Sequence, residues 1–140
     1  MGFLIDTTLW IAIERGRLTA GDIHAITRQD PLYLSPVNLA EIRLGIDLMP
    51  QSGMRKTALA ALRRMRRKPL LRITGETGEV FGSLAARIKK MGRAHDHRVQ
   101  DLWLASQAVQ RDFTLLTANE KDFRDIPDLK LVAIKIPRGE

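Results

Sequence analysis

Apolar residues recur along this chain in two ways, as short unbroken runs and as longer stretches in which they return every third or fourth position. Phe3-Leu4-Ile5 predicts a short buried strand, and Thr8 to Arg15 a short helix ending near Gly16. A second helix is expected over Thr19 to Arg28. Leu32-Tyr33-Leu34 reads as the next strand and stops at Ser35-Pro36, where Ser35 can cap a helix and Pro36 can take its first position. That helix should run to about Leu48, with Pro50 beyond it.

Met54, Ala58, Leu59, Ala61, Leu62 and Met65 then fall on one helical face, while Arg55, Lys56, Arg63, Arg64, Arg66, Arg67 and Lys68 cover the other side and the end. Pro69 stops this basic helix. Leu70 to Ile73 reads as a strand, and Thr74-Gly75-Glu76-Thr77 opens a helix with Val80, Phe81, Leu84, Ala85 and Ile88 on its apolar face, closed by Gly92. After a polar loop from Arg93 to Arg98, a helix is expected from Val99 to Gln110, a strand over Phe113 to Thr117 and a final strand over Leu129 to Ile136. Strand and helix alternate, which predicts an α/β protein whose mostly parallel sheet is covered by helices.

Length narrows this to one domain over residues 1–140, since 15.8 kDa holds one ordinary core and too little for two. A net charge of +7 favours polyanions or an acidic partner. The chain has no cysteine, so neither disulfides nor thiolate metal sites contribute, which suits a reducing cytosol. No stretch approaches the roughly 20 apolar residues that cross a bilayer, and the amino terminus lacks a secretory pattern. The protein is therefore expected to be soluble and unprocessed.

Candidate chemistry comes from three carboxylates set among apolar neighbours. Asp6 closes the first strand, Glu41 lies within the helix after Pro36, and Asp101 adjoins Leu102-Trp103-Leu104. A carboxylate stripped of water costs several kcal/mol unless compensated, and a divalent cation compensates strongly. In parallel α/β sheets, ligands bind outside the carboxyl ends of the strands. Asp6 and Thr117-Ala118-Asn119 end strands, Asp101 starts a helix, and Glu41 lies about a turn and a half past Ser35, so all four regions can share that rim. Taken singly, Asp6 and Asp101 are equally well read as helix-start carboxylates, and Glu41 as an exposed helical glutamate.

The segments around these residues resolve that ambiguity. Phe3-Leu4-Ile5-Asp6-Thr7-Thr8, Leu34 to Gly45 (LSPVNLAEIRLG), Asp101 to Ala108 (DLWLASQA) and Leu115 to Phe123 (LLTANEKDF) together resemble the PIN-domain ribonucleases, in particular the VapC-type toxins of toxin-antitoxin pairs. The resemblance spans nearly the whole chain. It implies a three-layer α/β/α sandwich and a magnesium- or manganese-dependent endoribonuclease, usually homodimeric and restrained by a cognate antitoxin. Asp6, Glu41 and Asp101 match the acidic metal-site positions of that family. The fourth position falls at Asn119 by motif, with Asp122 as the alternative, and Thr7 and Thr117 are expected to supply hydrogen bonds.

Two basic stretches could hold RNA phosphates: the helix from Arg55 to Lys68, and Arg87, Lys89, Lys90, Arg93 and Arg98 near Asp101. The first is equally a solvated face; the second is better placed for substrate by the expected helix order. His95-Asp96-His97 lacks further ligands at zinc spacing and reads as a polar loop. Trp10 and Trp103 lie among aliphatic residues at helical spacing and read as core or dimer interface. Neither a P-loop nor a dinucleotide glycine motif is present. The expected function is thus the ribonuclease toxin, against an inactive RNA-binding module of the same fold or a nuclease of RNA maturation without an antitoxin.

Overall fold

A computed structural model describes residues 1–93 and 98–137. Its elements are β1 (Phe3–Ile5), α1 (Thr7–Glu14), α2 (Ala20–Thr27), β2 (Leu32–Tyr33), α3 (Pro36–Asp47), α4 (Gly53–Met65), α5 (Gly75–Lys90), α6 (Val99–Arg111), β3 (Thr114–Thr117), a 3-10 turn (Glu120–Asp122) and β4 (Lys130–Ala133). The strands form one sheet in the order β2-β1-β3-β4, with every pairing parallel.

Side-chain alternation along the central strands divides the interior into two cores. Leu4 and Leu115, paired across β1 and β3, face Leu84, Ile88, Leu102, Leu104 and Ala108 of α5 and α6. Their neighbours Ile5 and Leu116 face the other way, toward Leu9 and Trp10 of α1, Ile23 of α2 and Met65 of α4. Helices thus cover both faces of a parallel sheet, giving the three-layer sandwich. Phe81 of α5 stacks on Trp103 of α6 at 4.2 Å between ring centroids, and Trp10 is 3% exposed, so both tryptophans belong to packing between elements.

The segment from Leu70 to Ile73 departs from the expected strand. It contributes one isolated parallel bridge, Leu34 to Leu70, bounded by hydrogen bonds from the Leu34 N–H to the Pro69 carbonyl (2.9 Å) and from the Leu71 N–H to the Leu34 carbonyl (2.8 Å). Beyond the bridge, the Leu71 carbonyl accepts from the Gln107 amide nitrogen at 2.8 Å in place of a neighbouring strand. Leu71 turns into the core, Arg72 and Ile73 remain exposed, and the Thr74–Thr77 capping box then starts α5. The final strand is likewise shorter than the apolar pattern from Leu129 to Ile136: the Ile134 N–H still donates to the Thr117 carbonyl at 2.8 Å, but β3 ends at Thr117 and offers no partner beyond it.

Candidate active site at the carboxyl ends of the strands

The chain leaves β1 toward β2 on one side, and β3 toward β4 on the other, which opens a crevice beyond the carboxyl ends of these two neighbouring strands. Asp6 follows β1 directly, and its N–H donates to the Leu116 carbonyl at 2.8 Å. Across the crevice mouth, the Thr117 hydroxyl donates to Asp6 Oδ2 at 2.9 Å, and the Thr8 hydroxyl reaches the same oxygen at 3.2 Å. Asp6 occupies the N-cap of α1, yet its side chain makes no capping bond. Its carboxylate serves the crevice instead of the helix. Burial, at 6% exposure, raises its pKa; hydrogen bonds from Thr117, Thr7 and Thr8 oppose this, and the charge of Asp122 adds to it.

Glu41 is brought in by the start of α3. Ser35 and Asn38 form a reciprocal capping box, with Pro36 preset for the first turn. Asn38 is fully buried and does more than cap: its amide nitrogen donates to the Ile5 carbonyl (3.1 Å) and to Thr7 Oγ1 (3.0 Å). With that lone pair engaged, the Thr7 hydroxyl directs its own proton to Glu41 Oε1 at 2.9 Å. Burial raises the pKa of half-buried Glu41, the Thr7 bond lowers it, and the charge of Asp6 raises it further. Asn38 lies within one of the family-like segments, where no role is expected of it from sequence; its spacing from the capping serine is the signal that marks it.

Asp101 stands in the first turn of α6, half-buried. Its pKa is pushed up to about 6, chiefly by burial and then by the negative charges of Asp6, Asp122 and Glu41, with the Arg98 cation opposing. Four carboxylates therefore feel one another across the crevice. Among the described residues none of these four forms an ion pair.

Of the two candidates for the fourth position, Asp122 is the one whose charge reaches Asp6 and Asp101. Asn119 is exposed before the 3-10 turn and makes no side-chain cap there; its backbone N–H donates to Thr117 Oγ1 at 2.9 Å. A cleft lined by Asn119, Lys121, Asp122 and Arg124 opens beside the rim. A separate cavity lined by Trp10, Ile23, His24, Leu32 and Lys68 carries none of the candidate carboxylates. Among the described residues no three His, Asp or Glu side chains are drawn close enough to form a ready-made metal cage. The carboxylates share a field without forming such a cage.

The second basic stretch is largely occupied by acidic partners. Arg98 pairs with Asp125 through both terminal nitrogens (2.8 and 2.9 Å), Arg93 reaches Asp125 at 3.3 Å, and Arg87 pairs with Asp128 at 2.7 Å. On α4, Arg64 pairs with Glu14 at 2.6 Å and Arg55 with Asp47 at 3.5 Å, while Arg63, Arg66 and Arg67 stay exposed. His95-Asp96-His97 lies outside the described residues.

Known proteins carry the same arrangement of sequence and fold. Ribonuclease VapC of Rickettsia bellii is 28% identical over 137 residues, covering 97% of this chain and 98% of the relative. Ribonuclease VapC1 of Rickettsia felis is 28% identical over 138 residues, covering 96% and 97%. Among solved structures, VapBC2 of Rickettsia felis bound to a DNA fragment from its promoter superposes with a TM-score of 0.80 at 20% identity, over 96% of this chain and 100% of that one. VapBC-1 of nontypeable Haemophilus influenzae gives 0.78 at 24% identity, over 95% and 98%. The sequence profile of the PIN domain matches residues 3–129, and on that match the chain belongs to the PIN-domain family.

Proposed function

We propose that this protein is a magnesium-dependent endoribonuclease, with manganese an alternative ion, acting as the toxin of a toxin-antitoxin pair. The observation that carries the reading is the crevice itself, where the charges of Asp6, Glu41 and Asp122 raise the pKa of Asp101, and none of the four carboxylates forms an ion pair among the described residues. A divalent cation relieves that repulsion, and the donor set is all oxygen, as magnesium and manganese prefer. The curated relatives named as VapC ribonucleases, matched over nearly their whole length, support the same activity.

Asp6 and Asp101 are assigned as the direct metal ligands, Glu41 as a ligand or as the group that orients the attacking water, and Asp122 as the outer carboxylate. When bound, the ion lowers the pKa of a coordinated water and neutralises charge on the scissile phosphodiester. The protein's own groups prepare for this. Thr117 and Thr8 fix the Asp6 carboxylate by donating to one oxygen, and Thr7 fixes Glu41 while Asn38 fixes Thr7. Glu41, at the rim with a raised pKa, can accept a proton from water as its oxygen bonds the phosphorus in line, the opposite P–O ester bond breaks, and the leaving ribose oxygen takes a proton from solvent. A cognate antitoxin and a second copy of the chain are the proposed protein partners, by analogy with VapBC assemblies that share this fold.

RNA cleavage by the purified protein with magnesium, with chelator, and in Asp6→Asn and Asp101→Asn variants tests this reading. Each substitution is expected to lower cleavage by about 10²- to 10³-fold, as loss of a preorganised transition-state charge does. Cleavage that survives both chelator and substitution would sink the proposal. Growth arrest on expression, relieved by the same substitutions, distinguishes a toxin from a nuclease of RNA maturation.

A further inference from the structure

The geometry points to Arg98 and Asp125 as a positioning pair for the catalytic metal site: together they hold the loop that carries Asp122 against the first turn of α6, where Asp101 stands. The inference rests on the nuclease reading above. Arg98 precedes Asp101 by three residues, so the two side chains leave one face of the same helical turn. From there its guanidinium grips Asp125 through two nitrogens at 2.8 and 2.9 Å, and one of them also donates to the backbone carbonyl of Asp122. The pair is largely withdrawn from water, with side chains 17% and 10% exposed. A bidentate bond of this kind fixes direction as well as distance.

Asp122 needs such a device. It sits in a short 3-10 turn closed by its own backbone, with the Asp122 N–H on the Asn119 carbonyl at 3.0 Å and the Asn119 N–H on Thr117 Oγ1, and the residue is exposed. Buried Phe123 and Ile126 anchor the loop in the core shared with α6. Arg98 adds a polar tie from the start of α6, and no other side chain bonds the Asp122 backbone among the described residues. Arg98 is thus committed to structure at the rim and is not free to bind an RNA phosphate.

The test uses the full chain, with Mn²⁺ as the probe and titration calorimetry without RNA as the first readout. Asp125→Asn and Arg98→Lys each break the bidentate pair while keeping size or charge. Both are expected to weaken Mn²⁺ binding and to raise the half-saturating magnesium concentration for cleavage, by about 10- to 100-fold, the usual cost of losing a group that orients a ligand. The KM for RNA at saturating metal should change less than about twofold, since neither residue touches substrate. Unchanged Mn²⁺ affinity overturns the inference even where melting falls, because that pattern belongs to a purely structural pair. A raised KM with unchanged Mn²⁺ affinity overturns it in favour of RNA contact. Failure of both variants to fold overturns it as well. Should the native protein bind no Mn²⁺, or Asp101→Asn bind it equally well, the nuclease reading fails first; native binding with undiminished variants removes this inference alone.

Discussion

Asp101 shows how a site residue carries a cost that the fold tolerates. Its pKa is about 6 in the folded chain against an ordinary value of 3.8, so the folded state holds the proton more tightly than the unfolded one. The stabilising contribution is therefore complete below about pH 3.8 and is lost as pH rises through about 6. In chelator at pH 7.5, Asp101→Asn should melt at or above the native temperature while losing cleavage; a clear fall in melting temperature would contradict the like-charge account. The same protons compete with a cation, so magnesium should raise the melting temperature more at pH 7.5 than at pH 5. Thr7 makes the opposite case. It is 4% exposed and bridges Asn38 and Glu41, so Thr7→Val leaves the Asn38 amide short of an acceptor and should destabilise by about 1–3 kcal/mol in urea unfolding. It should also lower cleavage with little change in KM, as the glutamate loses its fixed orientation.

Helix starts do the work at the level of elements. Three helices begin with reciprocal capping boxes, at Thr19, Ser35 and Thr74, and the one at Ser35 is tied into the site. Besides accepting the Val37 N–H at 3.0 Å, the Ser35 hydroxyl donates to Gln107 of α6, whose amide nitrogen bonds the Leu71 carbonyl at 2.8 Å. Ser35→Ala thus removes a cap and orphans a buried amide oxygen, with an expected loss of about 1–3 kcal/mol. Measured by urea unfolding, a loss near zero would show that water replaces the hydroxyl. The cap and Pro36 were legible as local chemistry, whereas the reach of Ser35 to Gln107 spans 72 residues and follows only from α3 lying on α6.

Over the whole molecule, charge is divided between a basic body and an acidic crevice. The chain carries +7, yet four carboxylates lie near the strand-end rim, so the body favours polyanions while the crevice is locally negative. Arg63, Arg66 and Arg67 are three of the exposed cations of α4 and its end. Replacing all three with Gln should raise the KM for RNA and leave kcat unchanged. It should also flatten the log–log salt dependence of binding to single-stranded RNA by about 0.7 for each phosphate that is no longer neutralised. An unchanged salt slope would return these residues to the role of a solvated face.

Local choices were written into the sequence: the apolar runs that became β1 and β3, the proline and serine that start α3, the alternation that demands a parallel sheet, and the carboxylates that cannot sit unpaired among leucines. Those depend on neighbours a few positions away. Local pattern misled at Leu70–Ile73, where an apolar run made only a single bridge, and at the fourth acidic position it favoured Asn119 by motif over Asp122, whose charge is the one that reaches Asp6 and Asp101. Only folding in three dimensions settled how the Thr117 hydroxyl meets Asp6 across 111 residues, that Asn38 sets the proton direction of Thr7, and that Arg98 spends its charge on Asp125. The physical reason is common to all three. Hydrogen-bond partners and electrostatic fields are fixed by distance in space, and strand order β2-β1-β3-β4 brings together residues whose separation along the chain gives no sign of it.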